Sequence, residues 1–255
     1  MDEQNKLKEL NALQSLSSSP MMLMICILTG VLTILTAIED FTNATSPWAI
    51  TIGIIRLTLN VLLITSLLII YFNGKKLSLS TIGFQFFKVV FLLLFILALI
   101  SLISNGLVLA IINFCSLFSP IPLGGGQSTY LFFVALLFSY TASFVVEIFY
   151  FTSIKNCINS GIHTLRGESS KAPISRATIF LIIAKALLSM ISIFLLIYVF
   201  PPIATAIAES RENYNYTDIS LIRKVLLTIA EILNVFISFV GAYLLDRYHK
   251  MVNAK

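Results

Sequence analysis

Six long apolar stretches alternate with short polar segments along the 255 residues of this chain. Each holds close to 20 residues or more, the length that crosses the hydrocarbon core of a bilayer as an α-helix. None shows the alternation of apolar and polar positions that is typical of strands in a membrane barrel. The pattern therefore predicts an all-α bundle of six transmembrane helices, at residues 20–38, 48–72, 89–112, 130–154, 177–200 and 221–245.

A weaker pattern precedes the first span. Leucines recur every three residues among charged and amide side chains, at Leu7, Leu10, Leu13 and Leu16. This pattern predicts an N-terminal helix within residues 1–19, and two interpretations of it stay open. It is either a helix that lies in the headgroup plane or a frayed, solvated cytosolic tail. The six-span membrane domain then occupies residues 20–250, and residues 251–255 form a cytosolic tail.

Composition supports a membrane protein and leaves little room for a separate soluble domain. Apolar residues make up 58% of the chain and charged residues 11%, with a mean hydropathy of +0.95. A soluble fold carries about twice that share of charge on its surface. The lipid bilayer is therefore the first partner we expect.

Basic residues predict the orientation, because they concentrate on the cytosolic side of a membrane. Of the 17 basic residues, 12 fall on one side of the predicted topology: Lys6, Lys8, Lys75, Lys76, Lys88, Lys155, Arg166, Lys171, Arg176, Arg247, Lys250 and Lys255. Both termini are thus expected in the cytosol. The net charge of +5 has this bias as its simplest cause, and no basic run is typical of nucleic-acid binding.

Four spans each carry one ionisable residue at depth, namely Arg56, Glu147, Lys185 and Glu231. A charge in hydrocarbon is costly, so each is expected to face protein or water. Counted along the helices, Arg56 and Glu231 lie roughly 12 and 15 Å from the outer ends of their spans. Glu147 and Lys185 lie roughly 10 and 12 Å from the inner ends. The depths predict two ion pairs, Arg56 with Glu231 and Glu147 with Lys185.

Two functional interpretations of these residues stay open. The pairs either fix the register of the helices or line a path for a small charged solute, with Asn60 on the same helical face as Arg56. The first interpretation fits a non-enzymatic accessory or assembly partner of another membrane protein. The alternative is a transporter or exporter permease whose polar path is lined by Arg56, Glu147, Lys185 and Glu231.

Sequence motifs do not indicate catalysis. The chain contains no H-E-x-x-H, G-x-S-x-G or phosphate-binding G-x-x-x-x-G-K-[ST] motif, and both histidines lie outside the predicted spans. Glu147 and Glu231 are placed at different depths, which makes them a poor acid–base couple. We therefore expect no enzymatic activity, no catalytic residue, no cofactor and no metal site.

Short motifs at residues 16–20 (LSSSP), 158–161 (INSG), 174–176 (ISR) and 248–251 (YHKM) carry a first resemblance. With them the chain resembles uncharacterised multi-pass membrane proteins of Gram-positive anaerobes. The resemblance covers most of the chain. It implies a bacterial plasma membrane and no assigned activity.

A second resemblance is to the permease subunits of ATP-driven exporters. Six spans, an amphipathic start and a sizeable outer segment before the last span look like such permeases, and residues 173–176 (PISR) are similar to their coupling region. In that family the coupling stretch usually follows the second span, whereas here it follows the fourth. This resemblance implies a separate ATPase subunit as a partner.

Overall fold

The computed structural model describes residues 3–42, 47–76, 80–118, 127–168, 176–199 and 220–253. Within these ranges the chain forms helices and no strand: α1 (Glu3–Ser17), α2 (Pro20–Thr42), α3 (Pro47–Lys75), α4 (Thr81–Phe118), α5 (Gln127–Leu165), α6 (Arg176–Phe194) with a π-helical turn (Leu195–Val199), and α7 (Leu221–Asn253). Six of them, α2 to α7, are long and apolar enough to cross a membrane. The predicted all-α fold with six spans is confirmed.

Local sequence explains where several helices begin and end. Proline opens α2 and α3, where its missing N–H costs no hydrogen bond. The Ser19 hydroxyl caps α2 by accepting a hydrogen bond from the Met22 N–H, at 3.3 Å. At the other end of a helix, Gly167 adopts a positive φ of 71° just after α5. The Glu168 N–H then bonds the His163 carbonyl at 3.0 Å, which closes a Schellman turn.

The six long helices form a closed ring in chain order. Each packs against the next, from α2 to α7, and α7 packs back against α2. Consecutive helices run in opposite directions, so α2, α4 and α6 begin at the same end of the ring. We call this the α1 end, because α1 lies there against α3, α5 and α7, and we call the opposite end the distal end.

Helix α1 is docked on the bundle by apolar and polar contacts. Its Ala12 and Leu13 are buried in a cluster with Tyr248 of α7. The hydroxyl of Thr164 in α5 donates a hydrogen bond to Glu9, at 3.2 Å. Of the leucine pattern, Leu13 and Leu16 pack against other helices, whereas Leu7 and Leu10 are exposed. The described part of the segment is thus a packed helix, and its place relative to the headgroups stays a prediction. Sequence alone did not indicate that a protein surface was available there.

Several helices are longer than the apolar stretches that predicted them. Helix α4 begins at Thr81, eight residues before the predicted span, and α5 continues to Leu165. Helix α7 runs to Asn253 and so includes the first residues of the predicted tail. The difference has a simple reason. Hydropathy indicates which residues lie in the hydrocarbon of the bilayer, whereas the helix itself continues into polar sequence until a cap or a glycine ends it.

Candidate functional site

The predicted pair of Arg56 with Glu231 is wrong. Arg56 instead pairs with Asp40, with 2.9 Å between Nη1 and Oδ1. The ring explains the correction, because α2 stands between α3, which carries Arg56, and α7, which carries Glu231. The two helices joined by the true pair are consecutive and pack closely. A Cβ on Gly53 of α3 would lie 3.3 Å from the Cβ of Asp40.

A second ion pair joins the distal ends of α2 and α7. Arg223 binds Glu39 with Nη2 at 2.8 Å and Nε at 2.9 Å from Oε1. Sequence reasoning missed this pair, although Glu39 and Asp40 stand together at the end of an apolar stretch. The neighbouring carboxylates point to different partners, so Glu39 ties α2 to α7 and Asp40 ties α2 to α3.

The predicted pair of Glu147 with Lys185 is confirmed. The Lys185 ammonium lies 2.8 Å from each carboxylate oxygen of Glu147 and joins α5 to α6. The same ammonium lies 4.2 Å from the ring centroid of Tyr150, one turn further along α5, as a cation–π contact. Glu147 is only 7% exposed, so its charge depends on this partner.

Glu231 lies beside this pair and not beside Arg56. It is 7% exposed, and it accepts hydrogen bonds from the Ser189 hydroxyl and, at 3.5 Å, from the Asn234 amide. Ser189 is one helical turn from Lys185 on α6, and Lys185 is an electrostatic neighbour of Glu231. The prediction that depth separates the two glutamates is therefore wrong. The depth of Glu147 is counted from the end of an apolar stretch at residue 154, whereas α5 continues to Leu165.

A cavity of about 440 Å³ occupies the centre of the ring, and we call it the central chamber. Residues from all seven helices line it. Toward the α1 end its wall is apolar and aromatic; examples are Met22, Leu67, Phe84, Phe87 and Leu245. Nearer the middle of the helices the wall carries polar side chains, namely Thr29, Thr33, Thr36, Asn60, Tyr150, Asn234 and Ser238.

Helix α1 contributes to the wall of the chamber at the α1 end. Leu13, Leu16 and Ser17 belong to the chamber wall. The end of α1 sits very close to α3, since a Cβ on Gly74 would lie 2.8 Å from the Cβ of Ser17. Only a glycine fits at that contact without a shift. The N-terminal helix is therefore a packed part of the chamber.

A smaller cavity of about 260 Å³, the distal pocket, lies between α4, α5 and α6. Its wall includes Tyr140 and Glu147 from α5, and Lys185 and Ser192 from α6. The chamber meets the same helices nearer the α1 end. Helix α4, for example, lines the chamber with Phe91 and the pocket with positions 98, 101 and 102. The two cavities thus follow one another along the same helical faces.

Polar groups from both cavities meet in the wall between them. Tyr150 lines the chamber and holds the ammonium of Lys185, which lines the pocket. Glu231 contacts Asn234 of the chamber and Ser189 of the pocket. Two short contact routes therefore connect the chamber with the pocket through ionisable side chains.

Of the five candidate residues, Glu147, Lys185 and Glu231 come together in this wall. Asn60 lines the chamber, and Arg56 belongs to the distal pair. Of the stretch that resembles a permease coupling region, residues 173–175 lie outside the described residues, and Arg176 begins α6. In the part of the chain that the structure describes, three or more His, Cys, Asp or Glu side chains do not come together in a metal-binding group.

Comparison with protein-family models, with curated proteins and with solved structures gave no significant match for this chain. Function is therefore inferred from the geometry of the ring, the central chamber and the distal pocket.

Proposed function

We propose that this multi-pass membrane protein binds an amphipathic small molecule in the central chamber, and that it belongs to the transporter class. The observation that carries the proposal is the sequence of two cavities along the same faces of α4, α5 and α6. A purely structural bundle gains stability by filling its interior, because voids forfeit packing contacts. Two cavities with ionisable groups between them are better explained by a ligand.

The wall of the chamber indicates the chemical class of that ligand. Its volume of about 440 Å³ falls in the range of small-molecule sites, which are mostly apolar with a few placed polar groups. Phe84, Phe87 and Leu245 suit an apolar body toward the α1 end. Asn60 and Asn234 suit a hydroxyl or carbonyl group nearer the middle. A long-chain alcohol is the simplest molecule with both parts.

Photolabelling tests this proposal. The protein is reconstituted in nanodiscs with a trace of a long-chain alcohol that carries a diazirine, and labelled peptides are mapped by mass spectrometry. We expect labels on chamber residues such as Phe87 and Leu67, reduced by an excess of the unlabelled alcohol. Labels on lipid-facing residues are expected to resist that competition. Equal competition at both classes of residue would contradict the proposal.

Two glycines provide matched variants. Gly241 lines the chamber, and Gly30 does not belong to its wall, while a Cβ on either would meet nothing within 4 Å. Gly241→Leu therefore fills the chamber with little strain, and we expect it to abolish the competable labelling. Gly30→Leu adds the same volume elsewhere and should leave the labelling unchanged. Unchanged labelling in Gly241→Leu would place the ligand outside the chamber.

Orientation is part of the proposal, and we infer that the α1 end faces the cytosol. The basic residues of the predicted inner loops support this side. In a chain without its natural cysteines, single cysteines at the exposed Glu168 and Trp48 mark the two ends of the ring. In cells, a membrane-impermeant maleimide should label Trp48→Cys and spare Glu168→Cys. The reverse pattern would invert the topology.

The alternative of an accessory or assembly partner makes a different prediction. Such a protein is expected to purify with another membrane protein and to show no competable labelling of its chamber. An exporter permease is expected to purify with a separate ATPase in stoichiometric amount. Affinity purification in mild detergent, followed by mass spectrometry, distinguishes these outcomes from a carrier that acts alone.

A further inference from the structure

The wall between the two cavities contains more acid than base. Glu147 and Glu231 are both 7% exposed, and Lys185 is their shared basic neighbour. With all three ionised, the group carries a net charge of −1 near the middle of three long helices. An uncompensated charge in an apolar interior is so costly that the side chain that carries it ordinarily gains or loses a proton and becomes neutral.

Charged groups elsewhere in the described chain do not remove this excess. On α7 itself, Arg223 and Lys224 lie two turns from Glu231 at the distal end, where Arg223 binds Glu39 of α2. From α1, the acid Glu9 lies at the opposite end, bonded to Thr164. Among the described residues, the hydrogen bonds to Glu231 come from the neutral Ser189 and Asn234.

We propose that Glu147, Lys185 and Glu231 form a site that holds one exchangeable proton in the wall between the chamber and the pocket. With the proton on Glu231, the group is neutral, because Lys185 balances Glu147. Loss of that proton to water leaves two carboxylates for one ammonium. Lys185 is then shared between them. Ser189 lies one turn from Lys185 on α6, and its hydrogen bond holds Glu231 of α7 near that ammonium.

A coupling of this proton to transport rests on the function proposed above, whereas the proton site itself does not. Tyr150 and Asn234 belong to the chamber wall, and they contact Lys185 and Glu231 respectively. A molecule that binds against these two side chains would therefore alter the surroundings of the shared proton. In this arrangement, binding of the ligand would change the affinity of the site for the proton, and binding of the proton would change the affinity for the ligand.

Infrared spectroscopy tests the site directly, because the C=O stretch of a protonated carboxyl group is resolved from that of a carboxylate. We expect the wild-type protein in nanodiscs at neutral pH to show one protonated carboxyl group that shifts on transfer to D₂O. Glu231→Gln should abolish the band. Glu147→Gln should abolish it too, because Lys185 then pairs with Glu231. Lys185→Met should double it. Glu168→Gln, at an exposed carboxylate, is the matched control and should leave it unchanged.

Each departure from this pattern is decisive. Absence of the band in the wild-type protein would overturn the proposal without any variant, even if a substitution prevented folding. A band that survives in Glu147→Gln would show that Lys185 is not shared. A band that does not grow in Lys185→Met would show that Glu147 stays ionised without Lys185, and this would also overturn the proposed site. These spectra are recorded without the alcohol, so failed photolabelling would reject the ligand and leave the proton site standing.

Discussion

The ion pairs at the distal end of the ring and the charged group in its middle use the same residue types in different ways. At the distal end Asp40 pairs with Arg56 and Glu39 pairs with Arg223, and these pairs hold α2 against its two neighbours. In the middle, Glu147 binds Lys185, and the buried Glu231 has the same lysine as an electrostatic neighbour. Arginine–carboxylate pairs near helix ends fit a structural role, whereas two buried acids beside one base, among the described residues of the interior, fit a chemical one.

The largest expected effect is from removing the shared base. Lys185→Met strands Glu147 in the interior, and breaking a buried pair in this way costs about 3–5 kcal/mol of unfolding free energy. Glu147→Gln should cost clearly less, because Lys185 retains Glu231. The double variant should be milder than Lys185→Met alone. Unfolding in mixed micelles measures all three, and strictly additive losses would show that Glu147 and Lys185 do not interact.

An intermediate effect is expected at the α1 end, where close packing holds α1 against α3. Gly74→Ala places a Cβ 2.8 Å from Ser17, and we expect a loss of about 1–3 kcal/mol from this overpacking. The strain should release α1, so limited proteolysis should cut the variant near its N-terminus sooner than the wild type. Gly30→Ala, with nothing within 4 Å, is the control and should behave as wild type. Equal protection of α1 in both variants would mean that α1 adapts to the added methyl group.

The smallest effect is expected at the distal end. The Arg56 side chain is 40% exposed in its pair with Asp40, and partly exposed ion pairs contribute about 1 kcal/mol or less. Asp40→Asn should therefore lower the unfolding free energy by no more than that, and the loss should shrink at high salt. A loss as large as that of Lys185→Met would erase the distinction between the two regions.

Sequence reasoning predicted the fold well because hydrocarbon imposes one requirement on every span. The backbone N–H and C=O groups of a segment in lipid must hydrogen-bond to one another, so an apolar stretch of sufficient length forms a helix. The same reasoning paired Glu147 with Lys185, which lie on consecutive helices at matching depth. It failed for Arg56, because apolar length does not indicate which spans are neighbours in a ring.

The cavities could not be predicted from sequence. Phe84, Phe87 and Phe91 recur at helical spacing, a signal for one face of α4, but the same signal describes an ordinary packed interface. Whether such a face meets a neighbour or a void depends on the angle and distance between helices. The docking of α1 depends in the same way on Gly74 and Tyr248, which are distant in sequence.

The docking of α1 also imposes an order on the biosynthesis of the protein. Translation produces α1 before the helices it contacts, at Gly74 of α3, Thr164 of α5 and Tyr248 of α7. Helix α1 can therefore complete its contacts only after α7 has been synthesised and inserted. The wall of the chamber is also incomplete until then, because α7 supplies part of it.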